Sequence, residues 1–189
     1  MCLDLPKNSG KAEAVRQGFL SAFTRQPQAV AFWDADLATP LNELLAFVDI
    51  LRRRQRAQLV VGSRVKLMGR TIERKGMRHL SGRVFATAAS LTLRLPFYDT
   101  QCGAKMFRVN EVIESLFAEP FGSRWLFDVE LCARLIRAYG HEKSHSAIFE
   151  YPLREWIDVD GSKLSYGDFV RAIRELYDIY RKYPELREF

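Results

Sequence analysis

The sequence predicts an α/β fold with a mostly parallel sheet. Continuous apolar runs such as residues 29–33 indicate strands that are buried on both faces, as in parallel sheets. Segments with helical spacing of apolar residues lie between these runs, and the alternation of strand and helix is typical of α/β folds. The chain has 189 residues, of which 48% are hydrophobic, so residues 1–189 are expected to form one domain with a substantial core.

The elements are predicted in chain order from apolar spacing and from helix start and stop signals. Helices are expected over residues 10–25, 40–54, 73–95, 110–117, 127–139 and 166–183. Strands are expected over residues 29–33, 58–62, 103–108 and 143–152. In sheets of this kind, ligands bind at the carboxyl ends of strands. Polar residues that follow a predicted strand are therefore the first candidates for a functional site.

The strongest candidate is the segment Asp34-Ala35-Asp36, directly after a buried strand. Two carboxylates this close together are costly without a cation. Hard oxygen ligands suit Mg²⁺ or Mn²⁺, which could bridge the oxygens of a diphosphate. The alternative is that Asp36 only caps the helix that is predicted to begin near Pro40.

Weaker candidates occur at four other places. Asn8-Ser9-Gly10-Lys11 at a helix start could bind an anion, although a plain capped helix fits equally well. Arg64 follows the second strand, and the segment 99–105 has the pattern of a polar loop before a strand. The segment 125–131 places two acids at a helix start, where acids are also favoured for structural reasons alone.

The net charge of +6 comes from one segment. Between Arg64 and Arg83 one acid, Glu73, accompanies seven basic residues. These are Arg64, Lys66, Arg70, Arg74, Lys75, Arg78 and Arg83. A local excess of this kind indicates an anionic partner, and nucleic acid, an anionic membrane surface and a phosphorylated ligand all fit it.

Part of this basic segment has helical spacing. Arg74 and Arg78 lie one turn apart, and Ser81 is three residues further on, so one helix face could present all three side chains to a phosphate. A solvated basic face is the alternative.

Other classes of protein are disfavoured by what the sequence lacks. The three cysteines are isolated, which argues against a disulfide framework or a structural zinc site. No apolar stretch approaches the roughly 20 residues that a membrane-spanning helix needs. The three histidines match no metal-ligand spacing. Nucleic-acid binding is disfavoured because the sequence carries no nucleic-acid motif and the two neighbouring aspartates would repel a phosphate backbone.

Six short motifs, in this order and over nearly the whole chain, resemble those of the polyprenyl-phosphate glycosyltransferases of family 2, and most closely the dolichyl-phosphate β-glucosyltransferases. They are N-x-G-K-x-x-A-V-R-x-G at 8–18, D-A-D-L-A-T-P at 34–40, G-S-R at 62–64, D-T-Q-C-G-x-K-x-F at 99–107, W-x-F-D-V-E-L at 125–131 and W-x-x-x-x-G-S-K-L at 156–164. Each motif alone is weak, and their common order makes the resemblance specific.

The resemblance implies a GT-A (Rossmann-like) three-layer fold and an inverting transfer of a hexose from a nucleotide-sugar, UDP-sugar favoured over GDP-sugar, to a polyprenyl or dolichyl phosphate. It implies Mg²⁺ or Mn²⁺ at the D-x-D motif and a position on the cytoplasmic face of a membrane, in contact with its surface. Mannose-transferring relatives often carry glutamine where this chain has Ala38, so glucose is favoured.

The same resemblance implies roles for individual residues. Catalytic roles fall to Asp34, Asp36, Gln101, Lys105 and Asp128, and Asp36 is the expected metal ligand. Donor contacts are expected from Asn8, Gly10, Lys11, Arg16, Asp34, Arg64 and Glu130. Contacts to the acceptor phosphate are expected from Arg64, Arg74, Arg78 and Ser81.

Two motifs of the family, a P-x-Y-N-E strand and a D-D-G-S strand end, are absent from these 189 residues. The resemblance therefore implies a domain that is truncated at its N-terminus. An inactive truncated glycosyltransferase with a binding or scaffolding role is the alternative to an active enzyme.

Overall fold

The computed structural model describes residues 3–73, 76–159 and 166–187, without the side chains of residues 76–81, 166, 168 and 169. The helices are α1 (Lys11–Phe23), α2 (Glu43–Arg53), α3 (Gly76–Leu93), α4 (Glu111–Leu116), α5 (Phe127–Tyr139), α6 (His141–Ala147) and α7 (Tyr166–Lys182), followed by a 3₁₀ turn (Pro184–Leu186). The strands are β1 (Ala29–Trp33), β2 (Leu59–Ser63), β3 (Thr71–Glu73), β4 (Ala104–Arg108), β5 (Ile148–Pro152) and β6 (Glu155–Ile157).

The α/β class is confirmed, but the sheet is mixed rather than mostly parallel. Four strands pair in the order β1-β4-β2-β5, and β4 runs antiparallel to both of its neighbours. Strand β5 is parallel to β2, and β3 and β6 form a separate parallel pair. Strands β2 and β4 are buried on both faces as predicted, whereas β1 lies at the end of the strand order and only its Phe32 is buried. The apolar pattern could not predict the direction of β4, because burial on two faces is compatible with either direction.

Helices cover both faces of the four-stranded sheet, which gives the three layers that were expected. Successive residues of β4 point to opposite faces. Phe107 packs with α1, α4 and α5, where its ring lies 5.3 Å from that of Phe19. Ala104 and Met106 instead pack with Phe47 and Leu51 of α2. The alternation places Lys105 of β4 on the same side as Phe107, under α5.

A third apolar cluster lies beside the sheet and joins α3, α5 and α7. Leu93 of α3, Val129 of α5 and Ile179 of α7 are almost completely buried in it. Tyr183, just after α7, is also buried there, so the last helix is fixed to the domain by its apolar face. Among the described helices, none is long and apolar enough to span a bilayer.

Two predictions about local structure were wrong. Residues 143–152 were predicted as one strand, whereas 143–147 belong to helix α6 and the strand begins at Ile148. The positive φ of Gly140 (75°) ends α5 and lets α6 begin at once, with the Ser144 N–H donating to the Gly140 carbonyl. Strands β3 and β6 were not predicted, because each has three residues and is stabilised by the other.

Candidate functional site

The strand register brings three of the predicted motifs to one edge of the sheet. In the β1–β4 ladder Trp33 lies opposite Ala104, so the residue after β1 meets the residue before β4. In the β2–β4 ladder Val61 lies opposite Lys105, so the end of β2 meets the same segment. Because β4 is antiparallel, its beginning lies beside the ends of β1 and β2. The D-x-D, G-S-R and D-T-Q-C-G motifs therefore meet at this edge.

Asp34 is held against the backbone of Gly103. The Asp34 N–H donates to the Gly103 carbonyl at 2.8 Å. A Cβ atom at position 103 would lie 1.9 Å from Oδ2 of Asp34, so only glycine leaves room for this carboxylate. Asp34 Oδ1 lies 2.6 Å from Nζ of Lys11, and both side chains remain partly exposed. The carboxylate thus has a fixed place and a cationic neighbour from the start of α1.

Asp36 is exposed and lies in the turn after β1. Its Oδ1 accepts a hydrogen bond from the Ala38 N–H at 3.0 Å, so the carboxylate shapes the turn two residues on. Leu37 between them has a positive φ of 53°, an uncommon conformation for a side chain of this kind. The helix begins later than predicted, at Glu43 with Asn42 as its first flanking residue, so Asp36 does not cap it.

A buried ion pair lies beneath this edge. Nζ of Lys105 is 2.6 Å from Oδ1 of Asp128 in the first turn of α5, and neither side chain is appreciably exposed. Burial alone would lower the pKa of Lys105, but the Asp128 carboxylate outweighs it and raises that pKa. The ring of Phe32 lies 5.3 Å from Nζ of Lys105 and 6.0 Å from Nζ of Lys11. The two predicted lysines therefore share one aromatic neighbour.

Arg64 forms a second ion pair at the same edge, with Asp99. Its Nε and Nη2 donate to the two carboxylate oxygens at 2.6 and 2.8 Å. Burial by itself would lower the pKa of Arg64, but Asp99 outweighs it and raises that pKa. Asp99 is held in turn by Glu150, which accepts from the Asp99 N–H. Gln101 is half-buried in the same loop, and its N–H donates to Asp99.

Two predicted donor contacts lie elsewhere, in the packing of the domain. The guanidinium of Arg16 is bound by Glu13 and by the carbonyls of Phe117 and Ala118, so it joins α1 to the end of α4. Glu130 is completely buried. The structure assigns both side chains to stabilising contacts, because their polar atoms are already bound inside the protein.

Glu130 accepts hydrogen bonds from four groups of the protein. These are the Ser123 N–H, Arg134 Nη2, Lys182 Nζ and the Tyr183 hydroxyl. Burial disfavours the ionised carboxylate, but these hydrogen bonds outweigh it and lower the pKa of Glu130.

The remaining predicted residues are placed only in part. Asn8 is exposed and accepts from the Gly10 N–H, and Gly10, with a φ of 87°, directly precedes α1. Arg74 lies outside the described residues. Arg78 and Ser81 lie in helix α3, but their side chains are outside the part that the structure describes. The expected acceptor-phosphate contacts of these three residues therefore stay predictions.

A cleft of about 540 Å³ opens beside Lys11 and contains residues that the sequence did not single out. Besides Gly10, Lys11 and Trp125, which belong to predicted motifs, it is lined by Arg124, Arg171 and Glu175. Arg124 directly precedes the W-x-F-D-V-E-L motif, and the spacing of Arg171 and Glu175 places them on one face of α7. That spacing was the one signal in the sequence that could have drawn attention to this face.

Comparison with known proteins gives related sequences. A dolichyl-phosphate β-glucosyltransferase of Drosophila melanogaster is 32% identical over 187 residues, which is 96% of this chain and 54% of that protein. The enzymes of the same name from Trichomonas vaginalis and Saccharomyces cerevisiae are 30% and 28% identical. Each match covers 94% of this chain, and 50% and 53% of those two proteins respectively.

This chain is similar to dolichyl-phosphate β-glucosyltransferases. It spans about half the length of the curated relatives that it matches. No family model matches the chain. The similarity covers all three motifs that meet at the edge of the sheet, since each match extends over at least 94% of the chain.

Proposed function

We propose that the chain is part of a family 2 glycosyltransferase of GT-A fold that transfers glucose, with inversion, from a nucleotide-sugar to dolichyl or another polyprenyl phosphate. UDP-glucose is the favoured donor. The observation that carries the proposal is the position of Asp34, whose carboxylate lies against Gly103 and Lys11 where three motifs meet. Similarity to three glucosyltransferases of this name supports the same reaction.

We expect the two aspartates to hold a divalent ion that is shared with a substrate. Mg²⁺ and similar ions are commonly bound by one or two carboxylates together with substrate phosphates. Among the described residues, no group of three or more histidine, cysteine, aspartate or glutamate side chains could hold a metal ion. Asp36, which is exposed, and Asp34 would hold Mg²⁺ or Mn²⁺. The ion would neutralise charge on a leaving diphosphate.

The other residues of the edge would hold the substrates in place. A phosphate acceptor is already anionic at neutral pH, so its attack needs little help from a general base, and positioning can supply much of the rate. Lys11 offers a partly exposed cation next to Asp34. The Lys105–Asp128 pair lies under Phe32 and is too deeply buried for direct contact, so we assign it to positioning. Arg64 is about three-quarters buried and its charge is balanced by Asp99, so we assign this pair to positioning as well.

A lipid acceptor requires a surface that meets a membrane, and α7 offers one. Val170, Ile173, Tyr177 and Tyr180 recur at helical spacing and are between 39% and 58% exposed. Tyrosine is enriched at membrane–water interfaces. We therefore infer that this stripe lies against the cytoplasmic face of a membrane.

Flotation with vesicles tests the membrane contact. Vesicles of phosphatidylcholine with phosphatidylserine should carry the chain upward, and Ile173→Ser should reduce the floated fraction. Leu45→Ser, which replaces an apolar residue of α2 that is 76% exposed, should not. Equal flotation of the two variants would count against the α7 stripe.

Transfer of radiolabelled glucose from UDP-glucose to a short polyprenyl phosphate, in the presence of Mn²⁺, tests the reaction. Asp34→Asn should abolish transfer, because the amide cannot replace the charge of the carboxylate. Asp49→Asn is the matched control, since Asp49 is exposed on α2 and pairs with Arg53. A wild-type chain that transfers no sugar from any nucleotide-sugar, or an Asp34→Asn variant with full activity, would refute the proposal.

A further inference from the structure

The cleft beside Lys11 has the size and the walls of a ligand site. It lies between the start of α1, the segment before α5, and α7, and it measures about 540 Å³. Ligand pockets in proteins commonly measure about 300–1,000 Å³. Lys11, Arg124 and Arg171 supply three cationic side chains to its lining, against one acid, Glu175. Lys11 pairs with Asp34, so the lining together with that carboxylate carries one net positive charge, and the cleft favours an anionic ligand.

Glu175 is already engaged by the protein. Its Oε2 accepts from the Ser123 hydroxyl and from the N–H groups of Trp125 and Leu126, at 3.3 and 3.4 Å for the latter two. These bonds join α7 to the segment that leads into α5. Glu175 thus fixes the shape of the cleft, and its charge is partly balanced by the start of that helix.

The guanidinium of Arg124 lies beside Gly10 in the lining of the cleft. A Cβ atom on Gly10 would lie 3.4 Å from Nη2 of Arg124, so the guanidinium rests close to the backbone at the start of α1. An arginine can form two parallel hydrogen bonds to phosphate oxygens. Arg124 is itself exposed, so its guanidinium is accessible to a ligand.

Trp125 adds an apolar wall. It is 44% exposed, which is unusual for a side chain that gains so much from burial. A ligand that bears a ring or an apolar group next to its anionic group would cover the indole. Both candidate substrates of the proposed reaction have that composition.

We propose that this basic cleft binds a phosphate ester, with Arg124 and Arg171 on the phosphate and Trp125 on the group attached to it. Lys11 lines the cleft and pairs with Asp34, so a phosphate bound here would lie next to the carboxylate site. The identity of the ester rests on the proposed function, which offers two sources: the diphosphate of a nucleotide-sugar, or the phosphate of a polyprenyl acceptor. The cleft itself does not depend on that function.

Isothermal calorimetry on the 189-residue chain tests the inference with three probes. Inorganic pyrophosphate reports on the cleft alone, UDP-glucose represents the donor, and farnesyl phosphate represents the acceptor. Arg124→Gln and Arg171→Gln should each weaken pyrophosphate binding by about 10- to 100-fold, the loss expected for a hydrogen bond to a charged group. Arg52→Gln makes the same charge change at an exposed position of α2 outside the cleft, and it should bind like the wild type.

The arms of the experiment separate the sources. The ester that occupies the cleft is the one, UDP-glucose or farnesyl phosphate, that binds more weakly to both arginine variants. Its binding should also change the tryptophan fluorescence of the wild type, and Trp125→Leu should abolish that change. Pyrophosphate binding that both arginine variants retain at the level of Arg52→Gln would overturn the inference, as would a wild-type chain that binds no phosphate compound. If pyrophosphate binding depends on Arg124 while no sugar is transferred, the cleft stands and the proposed function fails.

Discussion

Replacing Gly103 by alanine directly tests the position of the Asp34 carboxylate against this glycine. The added Cβ would lie 1.9 Å from Oδ2 and 2.1 Å from Cγ of Asp34, so the carboxylate must rotate away or the backbone must shift. Overpacking of this kind costs about 1–3 kcal/mol. The Lys11 contact that would be lost is partly exposed and contributes at most about 1 kcal/mol. Alanine also restricts the unfolded chain, which offsets about 0.4–1 kcal/mol.

With each term taken at the middle of its range, the expected result is a net loss of about 2 kcal/mol in the free energy of unfolding. Urea unfolding followed by circular dichroism measures it. Gly18→Ala is the control, because Gly18 is exposed within α1 and its added Cβ would meet nothing within 4 Å. That variant should gain about 0.5–1 kcal/mol from helix propensity. A Gly103→Ala chain that is as stable as Gly18→Ala and keeps full glucosyl transfer would refute the packing of the Asp34 carboxylate against Gly103.

Further predictions concern buried ionisable groups of the domain. Lys105→Met leaves the buried Asp128 without its cation and should cost about 3–5 kcal/mol in urea unfolding at pH 7, and a loss below 1 kcal/mol would contradict the pairing. The folded pKa of Lys105 is raised above 10.5, so the stability that its charge contributes is fully present below pH 10.5 and is lost as the pH rises through the folded pKa. The difference in free energy of unfolding between the wild type and Lys105→Met should therefore be constant from pH 6 to 9. Burial raises the pKa of the Cys102 thiol to about 11 and that of the Cys132 thiol to about 12. A Cys2→Ser variant should therefore react with no equivalent of a thiol reagent when it is folded and with two equivalents in urea. Rapid labelling of the folded variant would argue against this burial.

Much of the local structure could be predicted from the sequence. The strand Ala29–Trp33 and the helix Phe127–Tyr139 begin and end where apolar spacing and turn residues predicted them. The reason is that the periodic burial of side chains in a helix or strand depends on residues that are close together in the chain. The position of Asp34 at a strand end followed from the same pattern, and so did its interest as a candidate site.

The partners of the charged residues could not be predicted in this way. Asp34 pairs with Lys11 and packs against Gly103, and Lys105 pairs with Asp128. These contacts join elements that are far apart in the chain. Neighbouring carboxylates indicated a need for a cation, but the sequence could not show that a lysine from α1 already lies beside one of them.

The sequence by itself determined where most helices and strands lie and which motifs follow them, because those features depend on neighbours within a few turns. Only the tertiary structure decided that β4 runs against β1 and β2, which brings the segment before it to their ends. It also decided that α7 packs with α3 and α5 and that a basic cleft lies between α7 and the start of α1. Strand direction and helix packing are set by the sum of many distant contacts, and a local pattern does not contain that sum.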